Sequence, residues 1–486
     1  MIRRGKHLAA LAVVGVMALA SCSSSSKSAD TTKATSAPTT AAGAATTAAT
    51  TAASTGATTG TSASTTAGST VDTGGNTTTP ATDAPAKAWT VDTSKCADSA
   101  AAEAPIKGTL TIGSAQPLSG TPAVAFAPVK DGFELYLKYA NDNKLLDGIT
   151  LKSDIRDDQY DATQTPGVIS SLIDANVNIF SGIIGTPNNL AVRDTLNEEC
   201  IPQLLNLTGS PEWGKNVAKY PWTTGALVPY DIEARIYVTA LKGLIGDGGT
   251  VGLFTVNSEF GKTYVDAFKA EAQKQGLKIV VEQTIEPGDS APPTNQVGAL
   301  AAAKPAAVMA VPLGAQCPTF LKELVNAEAA NSGFKPVVFQ TNTCASRLLI
   351  SLLAGGAGDN VYTSSNILDP SDPANAANPG VKKFSDAYTA AGLKGDLATT
   401  AVGWGVAEDT VAILIAAQKT GTLSRKSIIE AARNLTFTPS LARPGVQYKM
   451  NGEADGFPFQ TLQVIQWHEG TGNFTDVGKT DASSEG

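Results

Sequence analysis

The chain has 486 residues, more than one average domain uses and enough for two lobes with cores of their own. Charged residues make up 16% of it, the formal net charge is -8, and no basic block or aromatic-interleaved basic patch occurs, so nucleic-acid binding has no support. The two histidines, His7 and His468, are too few for a histidine-based triad or a multi-histidine metal centre, and no metal or cofactor is expected.

Arg3, Arg4 and Lys6 precede an apolar run, Leu8–Leu19, that is too short for a typical membrane-spanning helix. Residues 1–21 therefore read as an export signal. The run ends in Leu19-Ala20-Ser21-Cys22, which resembles a bacterial lipobox, with cleavage before a cysteine that becomes lipidated. Lipid on Cys22 would hold the chain at the outer face of the cell membrane; a plain secretory signal is the alternative. Residues 22–88 are a Thr/Ala/Ser/Gly tether that lacks aromatic residues, Leu, Ile and Met beyond Cys22, and cannot bury a core. A flexible tether of this length spans about 45 Å root-mean-square.

From Trp89 onward, β-rich runs alternate with amphipathic stretches. Strands are expected at Thr109–Ser114, Ile149–Arg156, Asn178–Ile184 and Ile201–Leu205, with helices at Val124–Asn143, Ala162–Asn176 and up to Glu199 between them. A second series places helices at Asp231–Ile245, Gly261–Gln275, Asn295–Ala303 and Thr319–Ala329. Its strands are Thr250–Thr255, Lys278–Gln283, Ala306–Val311, Pro336–Phe339 and Asn360–Thr363. A short helix is expected after Cys344. The chain then reads as helical from Gly380 to about Arg433, and strands return at Val446–Met450 and Leu462–Trp467, joined by a turn at Asn451-Gly452 or Asp455-Gly456. Two βα series predict an α/β protein of two doubly wound, Rossmann-like lobes with a multi-strand hinge. The first lobe would take residues 106–226 and 364–435, the second 227–363 and 436–470, and 471–486 would be a flexible tail. Ligands of such sheets sit beyond the strand carboxyl ends, and a cleft between lobes is a favoured site.

One stretch, Asn178–Leu190, shows how such a site could be made. Its apolar run breaks at Gly185-Thr186-Pro187, where a helix is expected to start with Thr186 as N-cap and Pro187 at the first position. Free backbone N–H groups and the helix dipole there suit a carboxylate or another polar ligand end. An ordinary strand–loop–helix connection is the plainer alternative.

With these elements placed, residues 106–470 resemble the type I periplasmic-binding fold, and in particular the leucine/isoleucine/valine-binding family of ABC-importer receptors. Gly113-Ser-Ala-Gln-Pro-Leu-Ser-Gly120, the acidic turn Asp157-Asp-Gln-Tyr-Asp161, the stretch above, Leu204–Glu212 and Ser258-Glu-Phe-Gly-Lys-Thr-Tyr264 carry the resemblance. It implies ligand contacts from Ser119, Gly120, Ala125 or Phe126, Ile184, Gly185 and Thr186, and from Asn206, Leu207, Thr208 and Gly209. The second lobe would add Phe260, Leu313, Gly314, Asn342 and Thr343. Amino-acid-binding members hold the ligand ammonium with an acidic residue where this chain has Asn342, and an amide offers a buried cation no ion pair. Either Glu259 replaces it or the ligand lacks an α-amino group: a carboxylate, an amide or another small organic molecule.

Besides Cys22 there are four cysteines, which outside the cytoplasm suggests disulfides. Three pairings are possible. Cys317 and Cys344 follow second-lobe strands expected to be neighbours, which favours their pairing and leaves Cys96 with Cys200. A four-cysteine metal site is disfavoured by the absence of a short C-x-x-C spacing.

The expected function is a lipid-anchored, monomeric extracytoplasmic receptor that closes on a small organic ligand (a branched-chain amino acid, an amide or a short or aromatic carboxylate) and delivers it to ABC permease subunits. A ligand sensor of the same fold is the alternative. No catalytic residue is expected, because Ser119 and Ser258 lack both a G-x-S-x-G elbow and a histidine.

Overall fold

The computed structural model describes residues 88–352, 356, 358–478 and 480–481. The expected signal segment, Cys22 and the tether up to residue 87 lie outside them. After the short helix α1 (Ser99–Glu103) come β1 (Gly108–Gln116), α2 (Ala123–Asp142), β2 (Ile149–Asp157), α3 (Thr165–Asp174), β3 (Ile179–Ser181), α4 (Thr186–Glu198), β4 (Gln203–Asn206), α5 (Glu212–Lys215) and β5 (Thr223–Gly225). The second series is α6 (Tyr230–Ile245), β6 (Thr250–Val256), α7 (Glu259–Gln275), β7 (Lys278–Ile285), α8 (Thr294–Ala303), β8 (Ala307–Val311), α9 (Gln316–Ala330), β9 (Val337–Gln340) and β10 (Val361–Ser365). Then follow α10 (Pro379–Ala390), α11 (Leu397–Lys419), α12 (Arg425–Asn434), the pair β11 (Thr436–Phe437) and β12 (Tyr448–Lys449), and β13 (Thr461–His468), β14 (Asn473–Asp476) and β15 (Thr480–Asp481).

The first sheet has the order β2-β1-β3-β4-β5 and is parallel throughout. The main path of the second is β14-β13-β10-β9-β8-β6-β7, parallel except where β13 runs antiparallel to β10 and β14. Strand order reverses at β1, between β2 and β3, and at β6, between β7 and β8. Crevices open at such reversals, beyond the strand carboxyl ends. The loops after β1, β3, β6 and β8 are therefore among those that meet between the lobes. The chain crosses from one sheet to the other between β5 and α6, between β10 and α10, and between α12 and β13, as the multi-strand hinge requires.

Helix α11 is long and apolar enough to cross a membrane, yet 67% of its most apolar window is buried, as core of the first lobe. It packs on α2 through two glycines. A Cβ on Gly403 would lie 1.9 Å from the Val129 carbonyl, and one on Gly132 would lie 1.8 Å from the Thr400 carbonyl. The Tyr136 ring meets Trp404 edge-on at 4.8 Å in the same seam.

Several expectations are corrected. Strand β3 is shorter than Asn178–Ile184, because Gly182 and Gly185 turn to positive φ and end the extended run. Strand β5 has no counterpart in the sequence reading. The residues Val446–Met450 and Leu462–Trp467 do not pair with each other: β12 pairs with β11, while β13 joins the second sheet. The segment before β13 lies on the first lobe rather than the second, with the Tyr448 hydroxyl donating to the Ala432 carbonyl at 2.8 Å and Gly456 packed on Gly214. Part of the expected tail is strand β14, which closes a hairpin with β13 around His468–Asn473.

Candidate functional site

A cavity of about 620 Å³ lies between the sheets, with walls from both lobes and from the hinge segment after β10. Of the expected contacts, Phe126, Ile184, Gly185, Leu207, Phe260, Leu313, Asn342 and Thr343 line it, and Ala125 does too. Ser119, Gly120, Thr186, Asn206, Thr208, Gly209, Glu259 and Gly314 do not. Ser119 is exposed, and its hydroxyl donates to Asp157. Glu259 is exposed in the first turn of α7, so it is not the buried acid the second lobe was asked for.

The α4 corner differs in mechanism from the expectation. Gly185, with φ 103°, is the N-cap, Thr186 is the first helical residue and Pro187 the second. Only glycine takes that backbone angle without strain. Thr186 is buried, and its hydroxyl bonds the Thr208 hydroxyl at 2.5 Å rather than capping the helix. The phenol oxygen of Tyr160 lies near enough to the Thr186 N–H for that group to act on its ionisation. That ring lies against Gly185, where a Cβ would come within 2.7 Å of its Cε2. The Tyr160 phenol is pushed far up by burial, against the pull of the Thr186 N–H. A second phenol, Tyr230, is raised to about 12, burial outweighing the pull of the nearby Gly209, Thr208 and Thr186. Two tyrosines of the chain itself thus stand at the corner the sequence offered to a ligand anion, where the Thr186 and Thr208 hydroxyls bond each other.

The acidic turn after β2 builds this corner. Asp158 is fully buried, and its carboxylate accepts the Tyr160 N–H at 3.1 Å, the Thr165 hydroxyl at 2.8 Å and the Asn188 amide at 2.9 Å. It thereby pins the tyrosine turn to α3 and α4. Gln159 and Tyr160 both have positive φ, an unusual state for side-chain-bearing residues, and the buried carboxylate holds it.

The second lobe supplies a buried acid that sequence reasoning missed. Glu233 on α6 is fully buried, and its Oε1 accepts the Asn342 N–H at 2.7 Å. Burial pushes its carboxyl up to about 7, opposed by the Asn342 N–H and by the nearby Tyr237, Thr341 and Tyr264 hydroxyls. The Thr341 and Tyr264 hydroxyls are close enough to act on the carboxylate, but neither they nor Oε2 closes a hydrogen bond. The available signal was a carboxylate at the centre of the otherwise apolar stripe Tyr230, Glu233, Tyr237, Leu241.

Both disulfides have the pairing favoured from the sequence, Cys96–Cys200 and Cys317–Cys344, with Cα–Cα distances of 5.4 and 5.8 Å. The second ties the start of α9 to the loop after β9, and Ala125 and Phe126 of the first lobe pack against it. Two further contacts bridge the cleft: Gly314 approaches Pro122 closely, and the Ser346 hydroxyl donates to Asp396 at 3.1 Å.

A periplasmic binding protein family model matches residues 109–472. The chain belongs to this family. A search of curated proteins returned no significant match. Among solved structures, a fatty acid ABC transporter substrate-binding protein from Thermomonospora curvata is 21% identical, with a TM-score of 0.66 over 78% of this chain and 95% of its own. A branched-chain amino acid ABC transporter protein from Thermus thermophilus with bound valine is 19% identical, with a TM-score of 0.69 over 78% of this chain and 97% of its own. A possible leucine/isoleucine/valine-binding protein from Rhodopirellula baltica SH 1 gives 19% identity and a TM-score of 0.63 over 77% of this chain and 98% of its own. At these identities the shared property is the fold, which is the type I periplasmic-binding fold expected from the sequence.

Proposed function

We propose that this periplasmic binding protein is a non-catalytic, lipid-anchored solute receptor that delivers a small organic molecule to an ABC importer. The observation that carries the reading is the cavity of about 620 Å³ with walls from both lobes. A molecule held there touches both lobes at once, so its binding energy favours the closed arrangement, and a permease can distinguish loaded from empty receptor. The fatty acid and branched-chain amino acid receptors of the same fold agree with this role. The lipobox-like Leu19–Cys22 and the tether would hold the receptor, as a monomer, near the permease.

Two measurements test it. In a melting-temperature screen of leucine, valine, short carboxylates, amides and aromatic acids, a ligand at about 100 times its Kd adds about 2.7 kcal/mol and raises the midpoint by several degrees. A broad solute library that raises no midpoint overturns the receptor role. The anchor is tested by Cys22→Ser, which is expected to release the protein from membranes into the medium; retention after that change rejects the lipid anchor.

A further inference from the structure

We propose that the phenol hydroxyls of Tyr160 and Tyr230 are polar contacts for the ligand in the cleft, and that together they hold one of its oxygen acceptors, a carbonyl or carboxylate oxygen. The inference rests on the receptor reading and gives its site a ligand class.

The two tyrosines line the cavity, with residue exposures of 8% and 2%. Among the described residues neither phenol oxygen closes a hydrogen bond with the chain, and neither is among the polar atoms shut away from solvent. Hydroxyls on residues this deeply packed nearly always have a partner. Here the rings are packed and the oxygens are left open on a cavity wall, which is where a ligand supplies the partner.

Both rings are held in place by the backbone. A Cβ on Gly185 would come within 2.7 Å of Tyr160 Cε2, and one on Gly209 would come within 2.6 Å of Tyr230 Cδ1 and Cε1. Each ring therefore fills the space that a side chain would take at a glycine of the first lobe. The Tyr160 turn is pinned by the buried Asp158, whose carboxylate accepts the Tyr160 N–H at 3.1 Å. The Tyr230 N–H donates to the Gly209 carbonyl at 2.6 Å, and its ring meets Phe260 at 5.1 Å and Tyr264 at 5.6 Å. Tyr160 belongs to the first lobe and Tyr230 opens α6 of the second. An acceptor held by both phenols ties one lobe to the other.

The surroundings select an oxygen acceptor. Burial raises both phenols, Tyr230 to about 12, so each keeps its proton to donate at working pH. Thr186 lies beside both oxygens, its N–H near Tyr160 and its hydroxyl near Tyr230. That N–H opens the 13-residue helix α4, where no acceptor is available within the helix. Two hydroxyls and a helix N-terminus thus converge on one corner, and all three donate to a carbonyl or carboxylate oxygen. An ammonium brings only further donors. At this end it meets no carboxylate in the lining, because Asp158 and Glu233 stand behind the tyrosines, whereas Asp369, Asp372 and Asp476 line the hinge end.

The test is calorimetric titration of the purified mature protein with sodium 3-phenylpropanoate, 3-phenylpropanamide and 3-phenylpropylamine, which share one apolar body. The acid and the amide are each expected to bind at least tenfold more tightly than the amine. Tyr160→Phe and Tyr230→Phe keep the rings and remove only the hydroxyls. Each is expected to weaken the acid about ten- to a hundredfold and the amide about three- to tenfold, since a hydrogen bond to a charged oxygen is the stronger. A purely structural role for the phenols would weaken both probes by the same factor, and that result overturns the proposal. Unchanged affinity for acid and amide in both variants, with folding verified by circular dichroism, overturns it too, as does tighter binding of the amine than of either. If all three probes fail, the solute from the library that binds best takes their place. A best binder without a carbonyl or carboxylate oxygen, or one that both variants bind as well as the parent chain does, overturns the proposal and leaves the receptor role standing. Failure of every probe and every library solute overturns the receptor role itself.

Discussion

Glu233 takes up its proton near pH 7 in the folded chain, against an ordinary value of 4.5. Between those values the folded state binds more protons than the unfolded one. The group's contribution to stability is therefore fully present below about pH 4.5 and is lost as pH rises through 7. The loss amounts to at most about 3 kcal/mol for a shift of this size. Glu233→Gln keeps an acceptor for the Asn342 N–H and removes the titration. Melting temperature measured from about pH 5 to about pH 8 is expected to fall less steeply in this variant, with Glu233→Gln the more stable protein at the alkaline end. An identical slope in both proteins would show that the carboxylate is not the titrating group. The same residue orients the amide of Asn342, so the pH at which the receptor is loaded can affect the loop that meets the ligand.

At the scale of elements, the α2–α11 seam decides the stability of the first lobe. The two helices approach so closely that each backbone carbonyl occupies the space of the other's missing side chain, at Gly132 and at Gly403. A Cβ at either position cannot be accommodated by rotating a side chain, because the obstructing atoms are backbone. Gly403→Val is expected to cost about 1–3 kcal/mol or more through forced separation of the helices, and a melting curve reads this directly. Gly405 lies two positions further along α11, and no packed neighbour comes within 4 Å of the place its Cβ would take. Gly405→Ala is therefore the control and is expected to leave the midpoint unchanged or raise it through better helix propensity. Equal melting temperatures for Gly403→Val and Gly405→Ala would contradict the packing.

For the whole molecule, the relevant question is what holds the lobes together. Gly314, in the loop after β8, has φ 56° and would place a Cβ 3.1 Å from Pro122 Cα at the start of α2. Gly314→Val combines a strained backbone with a wedge between the lobes. The variant is expected to have a larger radius of gyration by solution scattering and a weaker ligand affinity, because part of the binding energy goes to closing lobes that resist. An unchanged radius and affinity would mean that this contact takes no part in closure. The disulfide Cys317–Cys344 stands beside the same contact, with Phe126 of the first lobe packed on it. Cross-lobe packing and the ligand wall are thus built from the same few residues.

The sequence by itself determined the alternation of strands and helices, and with it two parallel-sheet lobes, because the apolar period of each segment is a local property that tertiary packing did not override. It determined the part of the cavity lining that comes from strand ends, such as Ile184, Leu207 and Leu313, since strand order fixes which loops face the cleft. Cysteine pairing was legible for the same reason: Cys317 and Cys344 follow strands that are neighbours in the sheet. Tertiary structure alone decided the chemistry of the corner. Thr186 and Gly185 are adjacent in sequence to a helix start and read as an open anion site, but Tyr160 comes from a turn some 26 positions earlier and Tyr230 from a helix some 44 positions later. The phenols of these tyrosines stand beside donors that the local pattern reads as open. Glu233 was hidden in the same way, an acid on an apolar helix stripe whose partner, the Asn342 N–H, is 109 residues away. Contacts between distant segments are what the one-dimensional pattern does not contain, and here they put two tyrosines at a corner expected to hold an anion.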